Sequence, residues 1–416
     1  MQTNMLWVDK HRPKDLAKLD YHDALTKQLS TIAASGNMPH MLFYGPSGAG
    51  KKTRIMALLK GIFGSSVFKL KLEQRSFKTP SKATVDVRTI LNLYIFLNSN
   101  NLFFLENKPH NVFFVEFSFY PTILTIIFLF FFLVFFLVHL LLPRQVTMLG
   151  SNHHIELNPA DCGNKDTFVV QEVIKEIAQF GALDAGGSGR GFKVVVLSEV
   201  DQLSKDAQAA LRRTMEKYTS SCRLILCCER PSKVIDPVRS RCLGIRVPAP
   251  TQTQIVSVLQ KVSKSERVQL PDELAVRIAT MSKRNLRRAV LMLEACKVQQ
   301  YPMAPNQVVN IADWERFIAS IANDICKEQT PKSLLAVRSK LYELLTNCIP
   351  SDLIIKELTR NIMRKCDDQL KIKIAKWAAF YEHRLHLGQK DILHLEAFCA
   401  KMMAIYKQYL MEQFNF

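Results

Sequence analysis

Two short runs carry residues whose types and spacing could do chemistry on a phosphate. The first is Gly45-Pro46-Ser47-Gly48-Ala49-Gly50-Lys51-Lys52-Thr53, entered from the apolar run Leu42-Phe43-Tyr44 and left through a helix-forming run at 54–60. This is the strand, glycine turn and helix of a P-loop, G-x-x-x-x-G-K-[ST]. Its glycines let backbone N–H groups curl around phosphate oxygens, the helix N-terminus adds its dipole, and Lys51 reaches the outer phosphates. One position departs from the pattern: Lys52 stands where a hydroxyl should meet magnesium, and Thr53 follows one residue late.

A hydrolysing P-loop site also needs a strand tip that offers one acid to orient metal-bound water and another to polarise the attacking water. Here the tip reads Ser198-Glu199-Val200-Asp201. Glu199 is placed as a base, but Ser198 replaces the metal-orienting aspartate. With Lys52, both protein supports for magnesium are altered, which predicts a site that binds ATP or ADP and turns it over slowly or never. The alternative is that Thr53, the one candidate for Mg2+, and Asp201 compensate from neighbouring positions. Two arginines complete the set. Arg241 is either a surface charge or a group projected onto a neighbouring subunit's γ-phosphate, and Arg287 either opens an ordinary basic helix or folds back onto the chain's own nucleotide.

The elements that position these residues follow from patterning. A polar lead-in, Trp7-Val8-Asp9-Lys10-His11-Arg12-Pro13, with Trp7 as its hydrophobic anchor, precedes a helix expected at 23–34. Ile55, Leu58, Leu59 and Ile62 recur at helical spacing and should face a core. A helix is expected at 168–180, a Gly-rich loop at 181–191, and apolar strands at 192–197, 222–228 and 243–247, with a helix at 205–217. Strands alternating with helices indicate an α/β fold with a parallel sheet. Pro248-Ala249-Pro250 punctuates the chain, and only helices are expected beyond it: 253–262, 271–281, 285–298, 314–327, 331–346, 352–364, 369–385 and 391–411. Three domains follow: an α/β nucleotide-binding domain at 1–248, a small helical domain at 249–310 and an all-α domain at 311–416.

Residues 91–149 break this order, holding thirteen of the chain's 25 phenylalanines and only four charged side chains. Within them 122–142 is long and apolar enough to cross a membrane. The competing explanation is an insertion at about 92–149, foreign or left from untrimmed non-coding sequence. The flanks favour it, because 82–90 and 151–158 both alternate like strands and would close a hairpin if joined directly.

A net charge of +19 over 416 residues favours an acidic partner such as nucleic acid, anionic lipid or an acidic protein surface. The first residues lack a secretory pattern, and the ten cysteines show no C-x-x-C pair. A disulfide framework and a Cys-rich zinc site are thereby disfavoured, and a reducing intracellular setting is implied.

The chain resembles a small subunit of replication factor C, the eukaryotic sliding-clamp loader of the AAA+ superfamily, and is most like subunit 3. The matching runs include Leu6 to Pro13, Tyr44 to Arg54 with its Lys-Lys-Thr ending, Leu211-Arg212-Arg213-Thr214-Met215-Glu216-Lys217-Tyr218, Leu224 to Cys228, Arg239-Ser240-Arg241-Cys242 and the final helices. The resemblance covers nearly everything outside 92–149. It implies an AAA+ module, a helical lid and an all-α C-terminal collar. It implies further that Arg12 lies by the adenine, that Gly48, Gly50, Lys51 and Thr53 hold phosphates within the loop 45–53, and that Glu199 is the acidic-box glutamate. Arg241 would be a finger acting in trans and Arg287 the sensor-2 arginine of the lid. Glu229 stands where a sensor-1 asparagine is usual, which again disfavours hydrolysis. Arg212, Arg213 and Lys233 would lie near a DNA-facing surface or a subunit seam.

The implied function is that of a nuclear subunit of a heteropentamer that loads the sliding clamp, proliferating cell nuclear antigen, onto primer–template DNA. The alternatives are a self-sufficient ATPase or helicase-like enzyme, which Lys52 and Ser198 oppose, and a membrane-tethered adaptor, which rests only on 122–142.

Overall fold

A computed structural model describes residues 5–77, 144–159, 166–179 and 192–414. The chain forms two compact units, Met1–Gln307 and Val308–Phe416. Residues 249–307, most of the expected small helical domain, fall in the first unit.

Among the described residues seven strands make one sheet: β1 (Met41–Tyr44), β2 (Lys71–Phe77), β3 (Arg144–Gly150), β4 (His154–Leu157), β5 (Lys193–Leu197), β6 (Cys222–Cys228) and β7 (Leu243–Arg246). Their spatial order is β2-β3-β4-β5-β6-β1-β7. From β4 to β7 all neighbours are parallel, whereas β2, β3 and β4 pair antiparallel. The parallel strands read as continuous apolar runs because helices cover both sheet faces. In β5, Val194 and Val196 enter the core that holds Phe43 and Leu59, while Val195 and Leu197 enter the opposite core with Leu42 and Leu226.

Near the apolar segment the structure departs from expectation. The alternation at 151–158 is a strand only over His154–Leu157, and its antiparallel partner is Arg144–Gly150. The expected partner at 82–90 lies outside the described residues, as do 78–143 entirely, including 122–142, and the loop at 181–191. Residues 144–149, assigned above to the insertion, are part of the sheet.

The helices of the first unit are α1 (Trp7–Lys10), α2 (Asp23–Ser35), α3 (Lys51–Phe63), α4 (Asp166–Gln179), α5 (Lys205–Lys217), α6 (Asp236–Arg239), α7 (Gln252–Ser265), α8 (Asp272–Met281) and α9 (Leu286–Gln299). Three of them start at a side-chain cap. The Ser204 hydroxyl accepts the Ala207 N–H at the start of α5, Thr251 and Gln254 form a reciprocal capping box on α7, and Asn285 caps α9 by accepting the Arg288 N–H.

The second unit holds α10 (Asp313–Lys327), α11 (Pro331–Thr346), α12 (Ser351–Met363), α13 (Asp368–Leu387) and α14 (Asp391–Phe414). They enclose one apolar core that includes Ile318, Leu341, Leu358 and Phe398. Thr330 caps α11 and Pro331 occupies its first position, where a missing N–H costs nothing. Among the described residues no helix is long and apolar enough to cross a membrane.

Candidate nucleotide-binding site

In an open parallel sheet, ligands sit beyond the carboxyl ends of the strands. That is where a cleft of about 650 Å³ lies, and its wall is built from four sources. The N-terminal arm contributes Trp7 to Tyr21, including Arg12; the P-loop and α3 contribute Gly48, Gly50, Lys51, Lys52 and Thr53; the tips of β5 and β6 contribute Ser198, Glu199, Asp201, Cys227, Cys228 and Glu229; and the lid helices contribute Lys261 and Arg287. The groups singled out for a nucleotide in cis, Arg12, Lys51, Thr53, Glu199 and Arg287, thus converge from distant parts of the chain. Gly45 and Ala49 do not line the cleft. A Cβ on Gly45 would meet the Val247 carbonyl at 2.0 Å, and Ala49 is buried in the core.

The loop itself is tightly held. Gly48 and Gly50 have φ of 72° and 87°, the left-handed region that favours glycine. Lys51 Nζ donates to the carbonyls of Gly45 (2.6 Å) and Pro46 (3.0 Å). A Cβ on Gly48 would meet Asn285 Oδ1 at 1.9 Å, so the lid's capping asparagine lies directly on the phosphate loop. Behind the loop, Arg54 is fully buried, its guanidinium 4.6 Å from the Tyr21 ring centre and donating to the Tyr21 carbonyl at 2.8 Å. Tyr21 Oη in turn donates to the Ala49 carbonyl at 3.2 Å.

The arm is tied to the lid. The Trp7 N–H donates to Glu294 at 3.1 Å, Lys297 lies over the Trp7 ring at 4.9 Å, and Asp20 pairs with Lys261. Lys10 and His11 both meet Glu266, and these hydrogen bonds, Lys10's first, hold its carboxyl below the usual range. At the strand tips burial pushes the Cys227 thiol up to about 11 and that of Cys228 to about 12, so neither is a nucleophile near neutrality.

The residues around the metal position do not fit a magnesium ion. Mg2+ demands near-octahedral oxygen ligands. Position 52 offers an ammonium instead, and Lys52 Nζ lies 2.6 Å from Oε2 of the buried Glu156 on β4. The tip of β5 offers Ser198, and Asp201 Oδ2 already accepts the Arg230 N–H at 3.3 Å. Among the described residues no three acids, histidines or cysteines gather as a metal site.

Arg241 does not enter the chain's own cleft. Its guanidinium meets Glu216 on α5, with Nη2 and Nε at 2.6 and 2.8 Å, and donates to the Pro237 carbonyl at 2.7 Å. Arg212 reaches the same carboxylate at 3.6 Å, so Glu216 gathers two of the predicted cations, and hydrogen bonding to Arg241 lowers its pKa. Arg213 and Lys233 are outside the cleft as well, and the Lys233 carbonyl accepts from Gln208 at 3.2 Å.

Glu156, Asn285, the Tyr21–Arg54 pair and the clamping role of Glu216 escaped the sequence reading. An unusual lysine at position 52 was a signal that an acid should be sought nearby. Nothing in the local pattern said that it would come from β4.

Comparison with known proteins fixes the lineage. Residues 257–298 match the RCF1/5-like AAA+ ATPase lid domain, and 314–410 match the C-terminal domain of replication factor C subunit 3. The chain is 48% identical to replication factor C subunit 5 of Oryza sativa subsp. japonica, over 99% of this chain and all of the relative. It is 47% identical to replication factor C subunit 3 of Homo sapiens, over 97% of each. The chain belongs to the replication factor C subunit family. The P-loop cleft therefore lies in an AAA+ module whose lid begins at α7. Among solved structures, the Thermotoga maritima RuvB Holliday junction branch migration motor is similar with a TM-score of 0.45 and 14% identity, covering 80% of this chain and 85% of that one.

Proposed function

We propose that this chain is a nucleotide-binding subunit of a heteropentameric replication factor C clamp loader. It helps load the sliding clamp, proliferating cell nuclear antigen, onto primer–template DNA in the nucleus during replication and repair. Its own site holds nucleotide as a structural and regulatory ligand, and its contribution to hydrolysis is Arg241, presented to the ATP of the adjacent subunit.

The observation that carries this reading is the placement of Arg241. It lies away from the cleft that holds Lys51 and Arg287 and is oriented by Glu216 beside Arg212. A finger that serves a neighbour must be outside its own site and held by its own scaffold. The net charge of +19 suits a sequence-indifferent hold on duplex phosphates, for which Arg212, Arg213 and Lys233 are the candidates. Glu199 lines the cleft, but the positions that would hold a metal beside it are Lys52 and Ser198.

The test is reconstitution of the assembled complex with this chain as one subunit, read by clamp loading on primed DNA. The expected result is loading that depends on this chain. A complex that assembles and loads at full rate without it would overturn the proposal.

A further inference from the structure

Three cations stand around the glycine turn, and among the described residues only one of them has a carboxylate partner. Lys52 pairs with Glu156. Lys51 meets only the carbonyls of Gly45 and Pro46. Among the described residues Arg54 is buried without an acid: Nη2 donates to the Tyr21 carbonyl, the guanidinium stacks on the Tyr21 ring, and Nε and Nη1 find no hydrogen-bond partner there. Its Nη1 would lie 3.5 Å from a Cβ placed on Gly50, immediately behind the backbone that curls around a phosphate.

A buried, unpaired guanidinium is costly unless a negative charge arrives to offset it. In an ordinary P-loop site much of the phosphate charge is offset by magnesium held on a hydroxyl and an acid. Here those positions are Lys52 and Ser198, and the ammonium opposes a divalent cation entering beside it.

We infer that this chain binds its nucleotide without magnesium, the fixed cation Arg54, added to the Lys51 that every P-loop carries, supplying the charge that the metal supplies elsewhere. The inference rests on the nucleotide-binding reading of the cleft. Binding is set by the folded chain rather than by the metal, and the Lys52–Glu156 pair keeps the metal position closed. The nucleotide is thereby retained when magnesium is withdrawn, which matches a structural ligand rather than a substrate.

The test is equilibrium titration of the full-length chain with a fluorescent ADP analogue, in millimolar magnesium and in excess EDTA. The expected result is a Kd that differs by less than about threefold between the two, against the tenfold that corresponds to about 1.4 kcal/mol. The double variant Lys52→Thr with Ser198→Asp restores oxygen ligands and is expected to bind at least about tenfold more tightly with magnesium than without. Arg54→Gln, with its fold checked by circular dichroism, is expected to weaken binding about tenfold in both conditions. Tenfold or greater tightening of the wild type by magnesium would overturn the inference. So would a double variant indifferent to magnesium, or an Arg54→Gln variant that binds like the wild type. Absence of binding in both conditions would remove the nucleotide-binding reading itself, and the inference with it.

Discussion

Lys52 Nζ lies 2.6 Å from Glu156 Oε2, joining the first turn of the P-loop helix to the strand β4. The lysine is half-exposed and the glutamate side chain is 6% exposed. That asymmetry predicts unequal costs. Lys52→Met strands a buried carboxylate and is expected to cost about 1–3 kcal/mol. Glu156→Gln leaves a cation that water can reach and should cost less, about 1 kcal/mol. Urea unfolding of the two variants measures the difference, and equal costs would contradict the pairing.

The contact of Gly48 with Asn285 couples the loop to the lid. Gly48→Ala meets both a φ of 72° and a side-chain oxygen 1.9 Å from the new Cβ. The left-handed conformation alone costs about 1–2 kcal/mol. Nucleotide affinity is expected to fall, and a second change, Asn285→Ala, should recover the clash but not the backbone strain. Titration of the single and double variants with ADP measures that partial recovery.

Two buried histidines set the response to acid. His40 Nδ1 accepts the Leu224 N–H at 3.0 Å, and His154 lies 2.6 Å from the Ser151 hydroxyl. Burial pulls both pKa values below the usual 6.5, with Arg223 adding to the effect at His40. The unfolded chain then binds protons near pH 6.5 that the folded chain refuses. Stability is therefore fully present above pH 6.5 and lost as pH falls from there toward the folded values, by at most about 1.4 kcal/mol per pH unit for each histidine. Denaturant midpoints should fall between about pH 7.5 and about pH 5, and His40→Gln should flatten the slope.

The ends of β2 and β3 define what the apolar segment interrupts. Phe77 pairs with Arg144 at the end of an antiparallel ladder. Replacing 78–143 by Asn-Gly would close these strands as a two-residue hairpin. The expected outcome is a folded chain whose Tm changes by no more than about 2–4 °C, the shift worth about 1 kcal/mol in a domain of about 150–250 residues. Loss of cooperative unfolding would show that the segment is needed.

Much of the architecture is legible because local and tertiary signals agree. The run 193–197 is apolar on both faces, as a parallel strand between two helical layers must be, and Ser204 and Thr330 mark their helices with hydroxyl caps. The edge strand Lys71–Phe77 is not legible: it is rich in charge, and its Leu72 is 64% exposed. Charge and weak patterning are how edge strands avoid pairing with other chains, and they also hide the strand from a periodicity search. Strand β3 is concealed differently, by abutting a stretch so apolar that its own pattern merges with it. At the site, the P-loop gives away Lys51 and Thr53 through spacing. Glu156, Asn285 and Tyr21 are brought in by the sheet, the lid and the arm, and contacts at such sequence separation leave no local trace.

The central claim is that this chain's catalytic contribution is made to a neighbour's nucleotide. It is tested most directly by Arg241→Ala, measured both as ATPase of the assembled complex and as nucleotide binding by the chain alone. Arginine fingers are worth about 10³–10⁵ in turnover at a single site, so ATPase at the site it serves should collapse. The complex's total should drop by that site's share, while the isolated chain binds nucleotide as before, because Arg241 lies outside its own cleft. Unchanged ATPase of the assembled complex, or equal loss of the chain's own nucleotide binding, would contradict the account.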